Sequence, residues 1–356
     1  MRGSIKLFEV FDISINIHVT FLLLLLLVLS GGVKWVFVVI AVFFFVTVHE
    51  LCHSLVARRF GIKVREITLL PIGGVASMAK MPEKPSQEFL ISIAGPLSNI
   101  VVMLILFFPL KSILGEDVLF DFVRTRGRLS TATWPLTIAY IYWINLFLAG
   151  FNMLPAFPMD GGRILRSILA TPLGYRKATK IAVNFGHFFA LVFAYFGIVR
   201  FNIILLIIAF FIYQAASSEE LQADVKETLK KFRVRDILPP DCLTLKSDTT
   251  LAKVLELVFH SHQEDFPVVD AGELTGFITR QDIMANIHQH GTDKLVKDVM
   301  RLKFPKVRDT DLLIKVQAIM EETGLRALPV LRDGAVAGVV TLEDIGRVYS
   351  LASQRG

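Results

Sequence analysis

The chain has 356 residues, is 53% hydrophobic and carries a formal charge of +6, with a mean hydropathy of +0.57. A composition this apolar excludes a wholly soluble protein. The charge is divided, with 19 basic against 10 acidic residues over 1–215 and 19 against 22 over 216–356, so the basic excess belongs to the apolar half, where it gives no sign of a nucleic-acid partner.

The opening stretch, MRGSIKLFEVFDISINIHVTF, alternates apolar positions and lacks the compact apolar centre of a signal peptide. Ile5 and Leu7, then Ile13, Ile15 and Ile17, predict two short strands in a hairpin around Glu9 to Asp12. Six apolar runs follow, at 17–30, 33–56, 89–110, 134–154, 181–199 and 201–215. The first is short for a crossing and stops at Gly31-Gly32; the third is interrupted by Gly95-Pro96. Between the second and third, residues 64–78 (VREITLLPIGGVASM) alternate weakly. They predict one or two strands at the membrane boundary, or a plain amphipathic loop on its surface. The expected fold is therefore a polytopic all-alpha membrane domain of six transmembrane helices with small membrane-associated strands, over 1–215. Six crossings put both ends on one side. Arg58, Arg59, Lys63, Arg65, Lys80 and Lys84 fill one connection, and five basic residues lie between Arg163 and Lys180. The positive-inside rule places these loops, the N-terminus and the C-terminal region in the cytoplasm of a multi-pass cell-membrane protein.

The second run carries His49-Glu50-Leu51-Cys52-His53. On a helix the two histidines lie one turn apart on one face and can reach a common metal ion. Glu50, between them, can take a proton from a water that the metal activates. Buried histidines satisfied by neighbouring groups are the alternative, but such a set in membrane-compatible sequence is costly and asks for a function. Cys52 points to another helix face and reads as packing; Cys242 lies in a different context, so no disulfide framework is implied. A catalytic zinc site needs a third protein ligand. Asp160 stands out, because Pro155 and Pro158 end the fourth helix and Gly161-Gly162 free the backbone after it. His18 and His187 lack a partner motif and read as packing or channel residues.

HELCH, LLPIGGVA (69–76), AGPLSN (94–99) and NMLPAFPMDGG (152–162), in that order, resemble the site-2 protease family of intramembrane zinc metalloproteases across residues 1 to about 215. The resemblance implies one zinc ion held by His49, His53 and Asp160, with Glu50 as catalytic base. Asn152 resembles the family asparagine near the site, either donating to the developing oxyanion, holding the substrate or packing the helix. Asn99 reads as structural. The implied enzyme is an intramembrane endopeptidase that cuts a transmembrane protein substrate. A substrate helix must unwind before a carbonyl can reach the metal, and pairing with an enzyme strand in 64–76 or in the N-terminal hairpin would offset the lost helix bonds. A membrane transporter or channel is the competing class, since buried acids and histidines also mark ion paths.

Residues 216–231 predict a polar, helix-compatible linker. A repeat with a constant offset of 62 follows: VRDIL at 234 with VKDVM at 296, FPVV at 266 with LPVL at 328, and GFITRQDI at 276 with GVVTLEDI at 338. Each copy reads as helix, strand, glycine turn, strand and helix, which makes a soluble alpha/beta two-copy module. Over 232–350, in copies 232–290 and 294–350, the pattern resembles paired cystathionine-beta-synthase (CBS) domains. That resemblance implies an adenine nucleotide, ATP or AMP, contacted by Thr279 and Asp282 in one copy and by Thr341 and Asp344 in the other. The same Thr-to-Asp spacing makes a helix cap without any ligand. Homodimerisation through either half is compatible with the sequence.

Overall fold

The computed structural model describes residues 3–71, 73–78, 84–125, 133–239, 241–261 and 263–353; Lys80, counted among the loop charges, lies outside them. The chain divides into two compact units, Met1–Ala223 and Asp224–Gly356.

In the first unit, strands β1 (Ser4–Val10) and β2 (Ile13–His18) form the expected hairpin, and the chain then enters helices α1 (Val19–Leu29) and α2 (Val33–Arg59). Strands β3 (Val64–Leu70) and β4 (Gly73–Met78) complete a sheet of order β1-β2-β3-β4. β2 and β3 pair in parallel, Ser14 to Ile17 against Glu66 to Leu69. Parallel neighbours need a crossover, which α1 and α2 provide. One face of this sheet is sealed by Ile13, Ile15, Val64 and Ile67 against Ala57 of α2 and Ile91 of α3.

Helices α3 (Pro85–Leu114), α4 (Glu116–Thr125), α5 (Trp134–Asn152), α6 (Asp160–Leu173), α7 (Tyr175–Val199) and α8 (Ile203–Leu229) follow. Proline opens α3, where a missing amide costs nothing, and Gly115 and Gly174, at φ +80° and +81°, end α3 and α6. Among the described residues five helices, α2, α3, α5, α7 and α8, are long and apolar enough to cross a membrane. Six transmembrane helices are expected, the first of them already short for a crossing, and α1 is the one that falls short. His18 caps it by accepting from the Thr20 amide, and residues 13–18 belong to β2, which leaves eleven helical residues. Eleven residues rise only about 16 Å, against about 30 Å of hydrocarbon. α8 also runs through most of the expected linker; Ala216 and Ala223, two turns apart on one face, are buried, as is Leu229 at its end.

The second unit contains the two repeat copies. The first has α9 (Leu251–His260), β5 (Phe266–Asp270), β6 (Glu273–Ile278) and α10 (Arg280–His290). The second has β7 (Val307–Arg308), α11 (Leu313–Thr323), β8 (Ala327–Arg332), β9 (Ala335–Thr341) and α12 (Leu342–Ser353). β7, too short to show alternation, adds a parallel strand to β8 and β9. The copies share a small core in which Phe277 packs with Ala327 and Val339.

Candidate metal centre

α2 sets His49 and His53 one turn apart, with both rings buried and their Nε2 atoms 3.1 Å from each other. Asp160, the first residue of α6, brings Oδ2 to 3.0 Å from His49 Nε2 and 3.2 Å from His53 Nε2. The Ile91 carbonyl of α3 lies 2.6 Å from His53 Nδ1. A carbonyl can only accept, so Nδ1 carries the proton and Nε2 keeps its lone pair for the cluster. Two imidazole nitrogens and a carboxylate oxygen converge on one point, and among the described residues this is the group of histidine and acid side chains that could hold a metal ion. The donor set fits zinc. A tetrahedral ion with bonds of about 2.0–2.1 Å separates its ligand atoms by roughly 3.3–3.4 Å, and the observed separations of 3.0, 3.1 and 3.2 Å lie just inside that.

Local sequence explains the convergence. A Cβ on Gly95 would stand 2.2 Å from His53 Nε2 and 2.6 Å from His49 Nε2, so glycine lets the α3 backbone lie directly on the imidazoles. The turn of residues 153–159 carries the chain from α5 into α6. Cβ atoms on Gly161 and Gly162 would fall 2.2 Å from the Leu154 oxygen and 2.5 Å from the Ala156 carbonyl carbon. The first turn of α6 therefore rests on the backbone of the loop before it, and Asp160 is fixed between them. Glu50 shares the helix with the histidines and lies against β4: a Cβ on Gly74 would approach its Cγ to 2.8 Å.

Asn152 ends α5, half-buried, outside the three-residue cluster. Cys52 is a free thiol outside it as well. His18 is the α1 cap, and His187 stacks on Tyr213 with its Nε2 3.0 Å from Ser217 Oγ, so neither joins the cluster. Sequence reasoning missed Ile91 and Gly95. The Gly-Pro break was visible, but nothing in it says that an imidazole lies on the far side.

In the second unit a cleft of about 1460 Å³ is lined from both copies, by Asp265, Thr279, Arg280 and Arg301 and by Arg326, Thr341, Asp344 and Arg347. Thr279 and Asp282 form a complete capping box at α10, and Thr341 and Asp344 bond in the same way at α12. The copies then differ. Arg301 grips Asp282 with two charge-assisted bonds of 2.7 and 2.8 Å, whereas the Arg347 guanidinium stays 3.9 Å from Asp344. Burial pushes the Asp282 carboxyl up, but the bonds from Arg301 and Thr279 outweigh it and hold the group below the usual range. Asp265 shows the reverse, raised by burial in the cleft despite the Arg280 amide it accepts from.

Residues 37–193 match the family model for peptidase family M50, and residues 234–289 and 296–350 each match the CBS domain. Over 357 aligned residues the chain is 35% identical to a zinc metalloprotease of Methanocaldococcus jannaschii, covering 99% of this chain and 97% of that one. The chain belongs to peptidase family M50. This M50 protein is also 27% identical over 174 residues to stage IV sporulation protein FB of Bacillus subtilis, across 48% of its own length and 53% of the relative's. A solved site-2 protease of M. jannaschii aligns with 61% of this chain and 95% of its own at 40% identity, with a TM-score of 0.44. The M50 chain is thus a zinc metalloprotease whose apolar helices make it a multi-pass membrane protein, with a tandem CBS module behind them.

Proposed function

We propose that this M50 chain hydrolyses a peptide bond in or near a transmembrane helix of a membrane-protein substrate, with His49, His53 and Asp160 holding one zinc ion. The observation that carries the reading is the meeting of two imidazoles from α2 with a carboxylate 107 and 111 residues further on. When bound, zinc supplies a Lewis acid that lowers the pKa of a water toward about 7. Glu50 would be the residue that takes a proton from the attacking water and passes it to the leaving amine. Asn152, at the end of α5, donates its amide to the carbonyl oxygen as negative charge builds there.

The substrate has to arrive extended, because a helix keeps its carbonyls bonded internally. β4 is an edge strand of the sheet and Gly74 lies on Glu50. Its free edge is the docking element for the unwound segment, whose backbone bonds then replace those of the lost helix.

We read a sixth crossing as β2 and α1 together. β2 is hydrogen-bonded to β3, which follows the basic end of α2, while α1 turns back at Gly31-Gly32 to the opposite end of α2. Phe21 of α1 meets Phe43 of α2 with ring centroids 4.6 Å apart. β2 and α1 together therefore cover the length that α1 alone cannot. Strand backbone is tolerated at such depth because its polar groups pair within the sheet. The N-terminus and the CBS module then lie on the side of Arg58 and Arg59, the cytoplasm by the positive-inside rule.

The CBS cleft is proposed to take an adenine nucleotide, ATP or AMP, and to regulate cleavage. The second copy is the better receptor, since Thr341 engages Asp344 Oδ2 and the Arg347 guanidinium stays 3.9 Å from Oδ1, whereas Arg301 bonds both oxygens of Asp282. Incubating the purified chain with single-pass helices in detergent, and reading the products by mass, tests the proteolytic reading. Wild type should cut and Glu50→Gln should not; a transporter or channel would release no peptide from either.

A further inference from the structure

Arg166 lies nearly two turns along α6 from Asp160 and is 2% exposed. Its guanidinium is engaged on every side. Nε donates to Glu88 Oε1 at 2.8 Å, Nη2 donates to the same oxygen, and Nη1 donates to Glu219 Oε2 at 3.1 Å. The guanidinium carbon stands 4.6 Å from the centre of the Phe157 ring and 4.7 Å from that of Tyr175. Burying a cation with its carboxylates in an apolar helix bundle is a poor route to stability, because well-packed apolar side chains of equal volume usually do as well or better. The cluster asks for another explanation.

Its partners supply one. Phe157 belongs to the turn that delivers Asp160, three residues ahead of it; its amide donates to the Ala182 carbonyl of α7, and its ring packs with Ala216 of α8. Glu88 sits in the first turn of α3, three residues before Ile91, whose carbonyl fixes the tautomer of His53. Glu219 follows Ala216 on α8. One guanidinium therefore ties the segment that carries Asp160 to the helix that orients His53, and braces both against α8. Arginine suits the role because its planar fork bonds two carboxylates while its faces stack on two rings.

We propose that Arg166 is a positioning residue that keeps the Asp160 carboxylate at ligating distance from His49 and His53. The inference rests on the metal-centre reading above. The experiment measures zinc affinity of the purified full chain in detergent by competition with a chromophoric chelator, together with the visible spectrum of the cobalt(II) form and helix content by circular dichroism. Arg166→Met should fold, bind zinc about 10- to 100-fold more weakly, as loss of an orienting partner typically does, and show an altered cobalt spectrum. Arg166→Lys should recover part of the affinity. If wild type itself binds no zinc, the metal-centre reading falls and the proposal with it. If wild type binds zinc and folded Arg166→Met keeps both the affinity and the cobalt spectrum of wild type, the positioning proposal alone is overturned, even if the variant melts earlier. Should Arg166→Met fail to fold, Glu219→Gln and Phe157→Leu carry the same test. Each should weaken zinc binding by a factor of about 3 to 10, a milder loss because other braces survive, and wild-type affinity and spectrum in both would overturn it.

Discussion

At the scale of single residues, holding the metal and using it fall to different side chains. Asp160→Ala removes the anionic donor 3.0 and 3.2 Å from the two imidazoles, so the purified variant should lose most of its zinc while its helix content stays as in wild type. Normal zinc stoichiometry in that protein would take Asp160 out of the ligand set. Glu50→Gln leaves all three ligands in place and should keep the metal, while cleavage falls by about 10²-fold or more, the usual scale of a lost general base. Metal analysis and a cleavage assay on one sample check both parts, and full turnover in Glu50→Gln would remove its role as base. These residues were legible in the sequence because each carries a chemical signature: two imidazoles at helical spacing, a carboxylate between them, and an acid bracketed by Pro and Gly. Ile91 was not legible, because its contribution is a backbone carbonyl that any side chain would supply. Arg166 was counted only as one loop charge among five; its burial beside Glu88 depends on a contact 78 residues away that no local pattern announces.

At the scale of elements, the helices show what periodicity can and cannot give. Long apolar runs announced α2, α3, α5, α7 and α8, since crossing a membrane demands length and composition together. α1 was read too long because the strand before it is as apolar as the helix, and only the pairing of β2 with β3 reveals where one becomes the other. Close approach between elements makes its own prediction. Gly95→Ala would put a carbon 2.2 Å from His53 Nε2, between an α3 backbone and an imidazole that have no room to part. Zinc affinity should fall well below wild type, and a variant with unaltered metal binding would show that α3 does not press on the imidazoles as described. In the second unit, Thr341→Ala removes the cap of α12, whose hydroxyl accepts the Asp344 amide at 3.1 Å. It should cost about 1 kcal/mol of stability without any nucleotide present. Denaturant titration of the ligand-free protein checks this, and an unchanged midpoint would show that the cap does not contribute.

At the scale of the whole molecule, the repeat at constant offset was the plainest feature of the sequence, since a duplicated unit needs no structure to be seen. What the repeat conceals is the difference between its copies. Arg301 has Pro239 at the equivalent position 62 residues earlier, so an arginine clamps Asp282 with two bonds while Asp344 has no matching clamp from that position. In the full chain, Asp344→Ala should therefore weaken adenine-nucleotide binding more than Asp282→Ala does. Any nucleotide effect on cleavage should disappear in the first variant while zinc content stays unchanged. Equal losses in the two variants would contradict the asymmetry. Composition could not foresee this, because it rests on one arginine that reaches back from the second copy into the first.

The proposed centre has two histidines of α2 and the aspartate that opens α6 holding one zinc ion inside an apolar helical domain. Absorption at the zinc edge of the purified full chain tests it most directly. The spectrum should show one zinc per chain with two imidazole nitrogens and carboxylate oxygen at about 2.0–2.1 Å, and Asp160→Ala should lose the metal. A chain that carries no zinc, or one whose zinc shows sulfur at about 2.3 Å and so enlists a cysteine, would contradict it.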